Sequence, residues 1–209
     1  MSKYKDLAIA IENGDLKEAV KLTEELINEG AEAKKIIDDA LIMGMESVGK
    51  KFQRNEIFVP EMLIAAKTMQ ESMKILEPML KESDRDSKIK FVLGTVEGDL
   101  HDIGKDLVAM MLEGAGFEVI DLGIDVAPVD FVDAIKKYDA QLVGMSSLLT
   151  TTMPKMKETI NAISEAGLRD KIKILVGGAP VTEDYAEQIG ADAYASDASN
   201  ATEVAKSLI

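Results

Sequence analysis

Through residues 1–82 the hydrophobic positions recur at spacings of three and four, the period of an amphipathic helix. Leu7, Ala8 and Ile11 share one helical face. Asn13-Gly14-Asp15 reads as a turn followed by a helix N-cap. Leu16, Ala19, Val20, Thr23, Leu26 and Ile27 form a second stripe, which Gly30 closes. Ile36, Ile37, Ala40, Leu41, Met43, Met45 and Val48 form a third. A fourth helix begins at Phe58-Val59-Pro60 and carries Met62, Leu63, Ala66, Met69, Met73 and Leu76. Four helices with short connections predict a four-helix bundle. The polar run 81–88, KESDRDSK, has no period, and the predicted linker is 83–88.

From residue 89 short apolar runs alternate with helical segments. The runs are Ile89–Leu93, Phe117–Leu122, Leu142–Met145, Ile172–Val176 and the weaker Ala191–Ala195. The helices between and after them are Ile103–Leu112, Val129–Tyr138, Met153–Ala166, Val181–Ile189 and Ala201–Leu208. Nearly all-apolar strands joined through helices predict a five-stranded parallel sheet covered on both faces. Five βα units in residues 89–209 match a flavodoxin-like, Rossmann-like α/β domain with strand order 2-1-3-4-5. The domain organisation is thus 1–82 and 89–209.

Composition narrows the function. The 209 residues carry 24 Lys+Arg against 38 Asp+Glu, a formal net charge of −14. Neither half is a basic arm, since 89–209 alone holds 10 basic and 20 acidic residues. A duplex binder needs cations for phosphates, so that class is disfavoured. Aromatics are only 4% and Trp is absent, which argues against base-stacking surfaces. There is no cysteine, which removes disulfides, thiolate metal sites, iron–sulfur clusters and cysteine nucleophiles. The N-terminus lacks the apolar core of a signal peptide, and no apolar run of about 18 residues is long enough to span a bilayer. The expectation is a cytoplasmic protein.

All imidazole chemistry must pass through one residue, His101. In the 2-1-3-4-5 order, ligands sit beyond the carboxyl ends of strands 1 and 3. After strand 1 the chain reads Gly94-Thr95-Val96-Glu97-Gly98-Asp99-Leu100-His101-Asp102-Ile103-Gly104. After strand 3 it reads Ser146-Ser147-Leu148-Leu149-Thr150-Thr151-Thr152. His101 therefore falls at the switch point, two residues from Asp99.

Several chemistries fail on detail. Five residues separate Gly98 and Gly104, and Lys105 precedes Asp106, so a P-loop is absent. The dinucleotide fingerprint is missing. A phosphoryl-receiver domain would end strand 3 on Asp, where Ser146 stands. A Ser146–His101–Asp99 hydrolase would need a GxSxG elbow. What remains is an imidazole with one nitrogen held by Asp99 and the other free for a metal. One His without Cys holds a bare transition metal poorly, but it can give one axial bond to a metal already chelated by a macrocycle. The neighbouring glycines let backbone approach a large flat ligand.

Asp99-x-His101-x-x-Gly104 resembles the DxHxxG cobalamin motif. Ser146-Ser147-Leu148 resembles the SxL motif after strand 3, and Gly177-Gly178 the GG motif after strand 4. GMESVGKKFQRNEIFVPEMLIAAKTM, within residues 30–80, is similar to the helical cap of the methionine synthase cobalamin module. Across essentially the whole chain the resemblance is to methyltransferase-type corrinoid proteins, those of methylamine, methanol and methoxy-aromatic systems.

That resemblance implies a cobalamin or other corrinoid, base-off, with His101 as lower cobalt ligand. Asp99 would accept the other His101 N–H, and Thr152 would supply the hydroxyl completing a relay. Gly98, Leu100, Asp102, Ile103 and Gly104 would border the cofactor. Ser146, Leu148 and Thr150 would line the slot for its tail. Gly177, Gly178 and Ala198 would pack against its nucleotide end, while Gly44, Phe58 and Met62 would cover the upper cobalt face. The implied role is methyl carrier, cycling between Co(I) and methyl-Co(III), rather than a complete enzyme. Its partners would be a substrate:corrinoid methyltransferase and a corrinoid:acceptor methyltransferase, the acceptor being tetrahydrofolate or coenzyme M. A reductive activase is a further partner of this class. Two rivals share parts of the pattern. The B12 subunit of a radical mutase normally lacks the helical cap, and a B12-dependent sensor would need a DNA-binding module.

Overall fold

The computed structural model describes residues 3–80 and 89–209. The chain divides into two compact units, Met1–Lys88 with Gly114–Gly116, and Ile89–Glu113 with Phe117–Ile209. The predicted linker 83–88 lies outside the described residues.

The first unit is helical. Helices α1 (Lys3–Glu12) and α2 (Leu16–Asn28) are separated by the expected turn. Gly14 takes φ +66°, and Asp15 caps α2 by accepting the Glu18 N–H at 3.1 Å. The third helix is not uniform. It runs through α3 (Ala33–Ile36), a π-helical stretch (Ile37–Ile42) and α4 (Met43–Gln53). The 3.6-residue reading did not anticipate the π turns. Ile36 and Leu41 are both buried, as are Ala40 and Met45, pairs five residues apart that π spacing brings to one face. Helix α5 (Val59–Leu76) starts where Pro60 predicts, and the Glu61 carboxylate accepts the Phe58 N–H at 2.8 Å. Helix α1 packs on α2 and α4, and α5 packs on both of those. Leu7, Ile11, Ile36, Leu41, Met62 and Leu76 are among its fully buried side chains.

The second unit is a five-stranded parallel sheet in the order β2-β1-β3-β4-β5. Its elements are β1 (Lys90–Thr95), α6 (Ile103–Gly114), β2 (Glu118–Asp121), α7 (Pro128–Tyr138), β3 (Leu142–Ser146), α8 (Pro154–Glu165), β4 (Lys173–Gly177), α9 (Glu183–Ile189), β5 (Ala193–Ala195) and α10 (Ala198–Ser207). Val92, Val143, Met145, Ile174 and Val176 face one way and meet Phe131, Ile135, Met156, Ile160, Ile163 and Ile189 from α7, α8 and α9. Phe91, Leu93, Leu142 and Leu175 alternate with them along the strands and are buried as well.

Strand β1 runs two residues beyond its predicted end. Gly94 and Thr95 pair with Met145 and Ser146. Glycine is poor in strands, which is why the sequence reading stopped at Leu93. Here it is a packing requirement, because a Cβ on Gly94 would stand 2.8 Å from the Phe131 ring. Helix α10 begins three residues before its predicted start, with Asp197 capping it by accepting the Asn200 N–H at 2.8 Å. The registers align Thr95, Ser146, Gly177 and Ala195 in one row at the carboxyl end of the sheet.

Candidate functional site

That row brings three sequence motifs together. Beyond Thr95 the chain turns through Val96–Asp102 into α6, and beyond Ser146 it turns through Ser147–Met153 into α8. The first turn is held by hydrogen bonds that anchor it on several sides. Thr95 Oγ1 donates to the His101 carbonyl at 2.9 Å. The Gly98 amide donates to Asp125 Oδ1 at 2.7 Å, and the Asp125 amide donates back to the Asp99 carbonyl at 3.0 Å. Val96 bridges to Val126, continuing the sheet past its strand ends.

Asp99 is the centre of the arrangement. Its side chain is 0% exposed, and every close neighbour is a donor. Oδ1 faces His101 Nδ1 at 2.7 Å and the His101 amide at 3.2 Å. Oδ2 accepts from the Leu148 amide at 2.8 Å, the Leu149 amide at 3.2 Å and Thr152 Oγ1 at 2.7 Å. Burial on its own would raise the Asp99 carboxyl. The hydrogen bonds from His101, Thr152 and the Leu148 amide outweigh it and hold the carboxyl well below the usual carboxylate range.

A charged carboxylate at 2.7 Å fixes the histidine tautomer. Nδ1 carries the proton, so Nε2 presents a lone pair. No hydrogen bond links Nε2 to any described residue, and half of the His101 side chain is exposed. Around it stand Leu100 at 66% exposure, Ile103 at 77%, and the exposed Leu148 and Leu149. Clustered exposed apolar side chains mark a surface meant to be covered. Among the described residues, no group of three or more His, Asp or Glu side chains is placed to hold a metal ion. His101 thus offers a single nitrogen set in an apolar rim, a donor set that suits a flat macrocycle already carrying its metal.

The other sequence-predicted residues divide by location. Gly98, Asp102, Gly104, Leu148 and Thr150 are exposed around His101 and Asp99, and Ser146 is half-buried at the end of β3. Gly177 ends β4 and Gly178 follows it, and at both a Cβ would strike protein: Gly177 against the Ala195 carbonyl at 2.9 Å, Gly178 against the Ser147 carbonyl. Ala198 is buried at the start of α10. In the helical unit, Met62 is buried and Phe58 is 68% exposed. A Cβ on Gly44 would fall 2.8 Å from the Ala8 carbonyl and from Ile11 Cβ, so this glycine permits close packing of α4 on α1.

Two participants were missed by the sequence reading. Ser147 is fully buried, with Oγ 2.8 Å from Thr152 Oγ1. Its position as the middle residue of SxL gave no signal of a role. Lys105 is 2% exposed and ion-paired to Asp106 and Asp121. It directly follows DxHxxG, but in the sequence it bears only on the absence of a P-loop.

Comparison with known proteins gives a consistent result. Residues 89–205 match the B12 binding domain family, and residues 4–77 match a second family also described as a B12 binding domain. Dimethylamine corrinoid protein 1 of Methanosarcina mazei is 42% identical over 92% of this chain and 90% of its own length. A cobalamin-binding protein from Desulfitobacterium hafniense superposes with a TM-score of 0.82, 33% identity, and coverage of 99% and 98% of the two chains. A chain of the methanol:cobalamin methyltransferase complex of Methanosarcina barkeri gives a TM-score of 0.89 at 30% identity, covering 99% of this chain and 79% of that one.

Proposed function

Since the chain belongs to the B12-binding family of corrinoid proteins, we propose that it acts as a methyl carrier between two methyltransferases. The observation that carries this reading is the His101–Asp99 pair. One imidazole nitrogen is locked on a buried carboxylate and the other is offered into an apolar rim. When bound, a corrinoid supplies a cobalt atom that takes up a methyl group from one enzyme and yields it to another.

The chain's own residues do the rest. His101 Nε2 would hold the cobalt in place of the cofactor's own base. Asp99 keeps the imidazole in the Nδ1–H tautomer and orients the ring. The Leu148 and Leu149 amides and Thr152 keep Asp99 ionised. Leu100, Ile103 and Leu148 would exclude water from around His101 when the cofactor is bound, beside Gly98, Asp102 and Gly104. Ser146, Leu148 and Thr150 line the tail slot, with Gly177, Gly178 and Ala198 at its far end. Of Gly44, Phe58 and Met62 in the helical unit, only Phe58 is exposed and could meet a ligand; Gly44 and Met62 are buried in that unit's own packing. Residues 1–82 form the cap, 83–88 the linker and 89–209 the cofactor domain.

The first partner is a substrate:corrinoid methyltransferase, as the methanol-system complex indicates for its own corrinoid protein. A small methylated amine is the favoured donor class, given the dimethylamine corrinoid proteins among the relatives. A second methyltransferase receives the methyl group, and a reductive activase restores the carrier. No described helix is long and apolar enough to cross a membrane.

The test is direct because the chain has one histidine. Holo-protein grown on 15N-histidine should change the nitrogen superhyperfine pattern of its Co(II) EPR spectrum. His101→Ala should abolish that coupling while leaving the corrinoid bound. An unchanged pattern on labelling would remove His101 as the ligand.

A further inference from the structure

Ser147 and Thr152 form a pair of hydroxyls sealed from solvent beside Asp99. Each has a single proton to place. Thr152 Oγ1 lies 2.7 Å from Asp99 Oδ2 and 2.9 Å from the Leu149 carbonyl. Ser147 Oγ lies 2.8 Å from Thr152 Oγ1, 3.1 Å from the Leu149 carbonyl and 3.5 Å from Asp99 Oδ2. The Leu149 carbonyl already accepts the Thr152 amide at 3.1 Å and the Met153 amide at 3.2 Å. The shortest consistent assignment is linear. Thr152 donates to the ionised carboxylate, and Ser147 donates to the oxygen that Thr152 leaves free.

We infer that Ser147 is a positioning residue for the Asp99–His101 pair, acting through the direction of the Thr152 hydroxyl. By occupying the Thr152 lone pair it points the Thr152 proton at Asp99 rather than at the Leu149 carbonyl. A hydroxyl that accepts a hydrogen bond is also a stronger donor, so the chain Ser147→Thr152→Asp99 polarises cooperatively. Asp99 then has less charge to share with His101 Nδ1–H. Ser147 in this way tunes how strongly the carboxylate pulls on the imidazole.

The two glycines at the end of β4, Gly177 and Gly178, hold Ser147 in place. Its amide donates to the Gly177 carbonyl at 3.2 Å. Its own carbonyl sits where any Cβ on Gly178 would be, and Gly178 takes φ +130°. Gly177-Gly178 therefore bears on the histidine through Ser147, independently of any cofactor contact. The inference rests on the proposed role of His101 only for its functional meaning. The hydrogen-bond chain itself can be read in protein without cofactor.

The experiment is NMR of the full-length apo-protein labelled with 15N-histidine, where the sole imidazole gives one set of signals. The His101 Nδ1 proton should resonate far downfield. Thr152→Ala should move it further downfield by removing a competing donor from Asp99. Ser147→Ala should move it the same way by a smaller amount, and Ser147→Cys, with a weaker donor, should fall between it and wild type. In a Thr152→Ala background, Ser147→Ala should have no further effect, because it acts only through Thr152. If Ser147→Ala fails to fold, the Cys variant carries the test. No displacement, or an equal displacement with and without Thr152, would overturn the inference. Loss of His101 ligation in the EPR experiment, with this coupling intact, would instead overturn only the proposed function.

Discussion

Lys105 in the first turn of α6 is ion-paired to Asp121, the last residue of β2. The pair ties the helix that follows His101 to the strand next to β1, and Asp106 gives the same lysine a second carboxylate. Burial would lower the Lys105 pKa, but the two carboxylates outweigh it and raise it above the ordinary lysine value. Lys105 thus stays charged although its side chain is sealed from water. Lys105→Met keeps the bulk and removes the charge. Because Asp106 and Asp121 remain partly exposed, the expected cost is about 1–3 kcal/mol, below the full cost of an unpaired buried charge. Urea unfolding measures it, and an unchanged midpoint would show the pair to be dispensable.

Asp99 predicts an acid-sensitive contribution to stability. Its carboxyl is held below its unfolded value, so the stabilisation is complete above the unfolded pKa and declines as pH falls toward the folded one. The decline starts below about pH 4, the ordinary range for Asp. Asp99→Asn places an amide among donors, losing about 1–3 kcal/mol at neutral pH. Denaturant unfolding of wild type and variant from pH 7 to pH 3 should show the gap narrowing only at the acid end. A gap that is constant with pH would rule out the charge as its source.

Gly178→Ala should be among the most damaging single-methyl additions in the α/β unit. The new Cβ would overlap the Ser147 carbonyl, and φ +130° disfavours any L side chain. A loss of about 2–3 kcal/mol is expected from strain and overpacking together. The His101 Nδ1 resonance should move with it, since Ser147 is displaced. Thermal melts and the same 15N spectrum check both parts.

Residues 89–209 alone should bind cobalamin at the stoichiometry of the full chain but protect it less well. All the residues proposed to hold the lower face and the tail lie in this half, whereas Gly44, Phe58 and Met62 lie in the other. Photolysis of the bound methylcorrinoid should therefore be faster in the truncated protein. Loss of binding by a truncated protein that keeps its circular dichroism would place part of the primary site in residues 1–82.

The strand and helix alternation, the parallel order and the position of His101 at the switch point were all legible along the chain. They depend on local period and on the handed βαβ connection, both written in consecutive residues. DxHxxG, SxL and GG could likewise be found as strings, and their strand ends told where they would meet. The π-helical stretch at Ile37–Ile42 was not legible, because buried residues five apart look like noise in a 3.6-residue pattern. Gly94 read as the end of a strand, because only Phe131, 37 positions later, explains why a glycine continues it.

The candidate site shows the same division. The sequence by itself named His101 and Asp99, since two residues of spacing bring them into reach whatever surrounds them. The protonation and direction of that pair were decided by the tertiary structure. Leu148, Leu149 and Thr152 reach Asp99 across 49 to 53 positions, and Ser147 and Lys105 take their meaning from partners no periodicity links to them. A buried carboxylate's charge is set by the donors that fold around it, and those come together only when the ends of separate strands are aligned in one row.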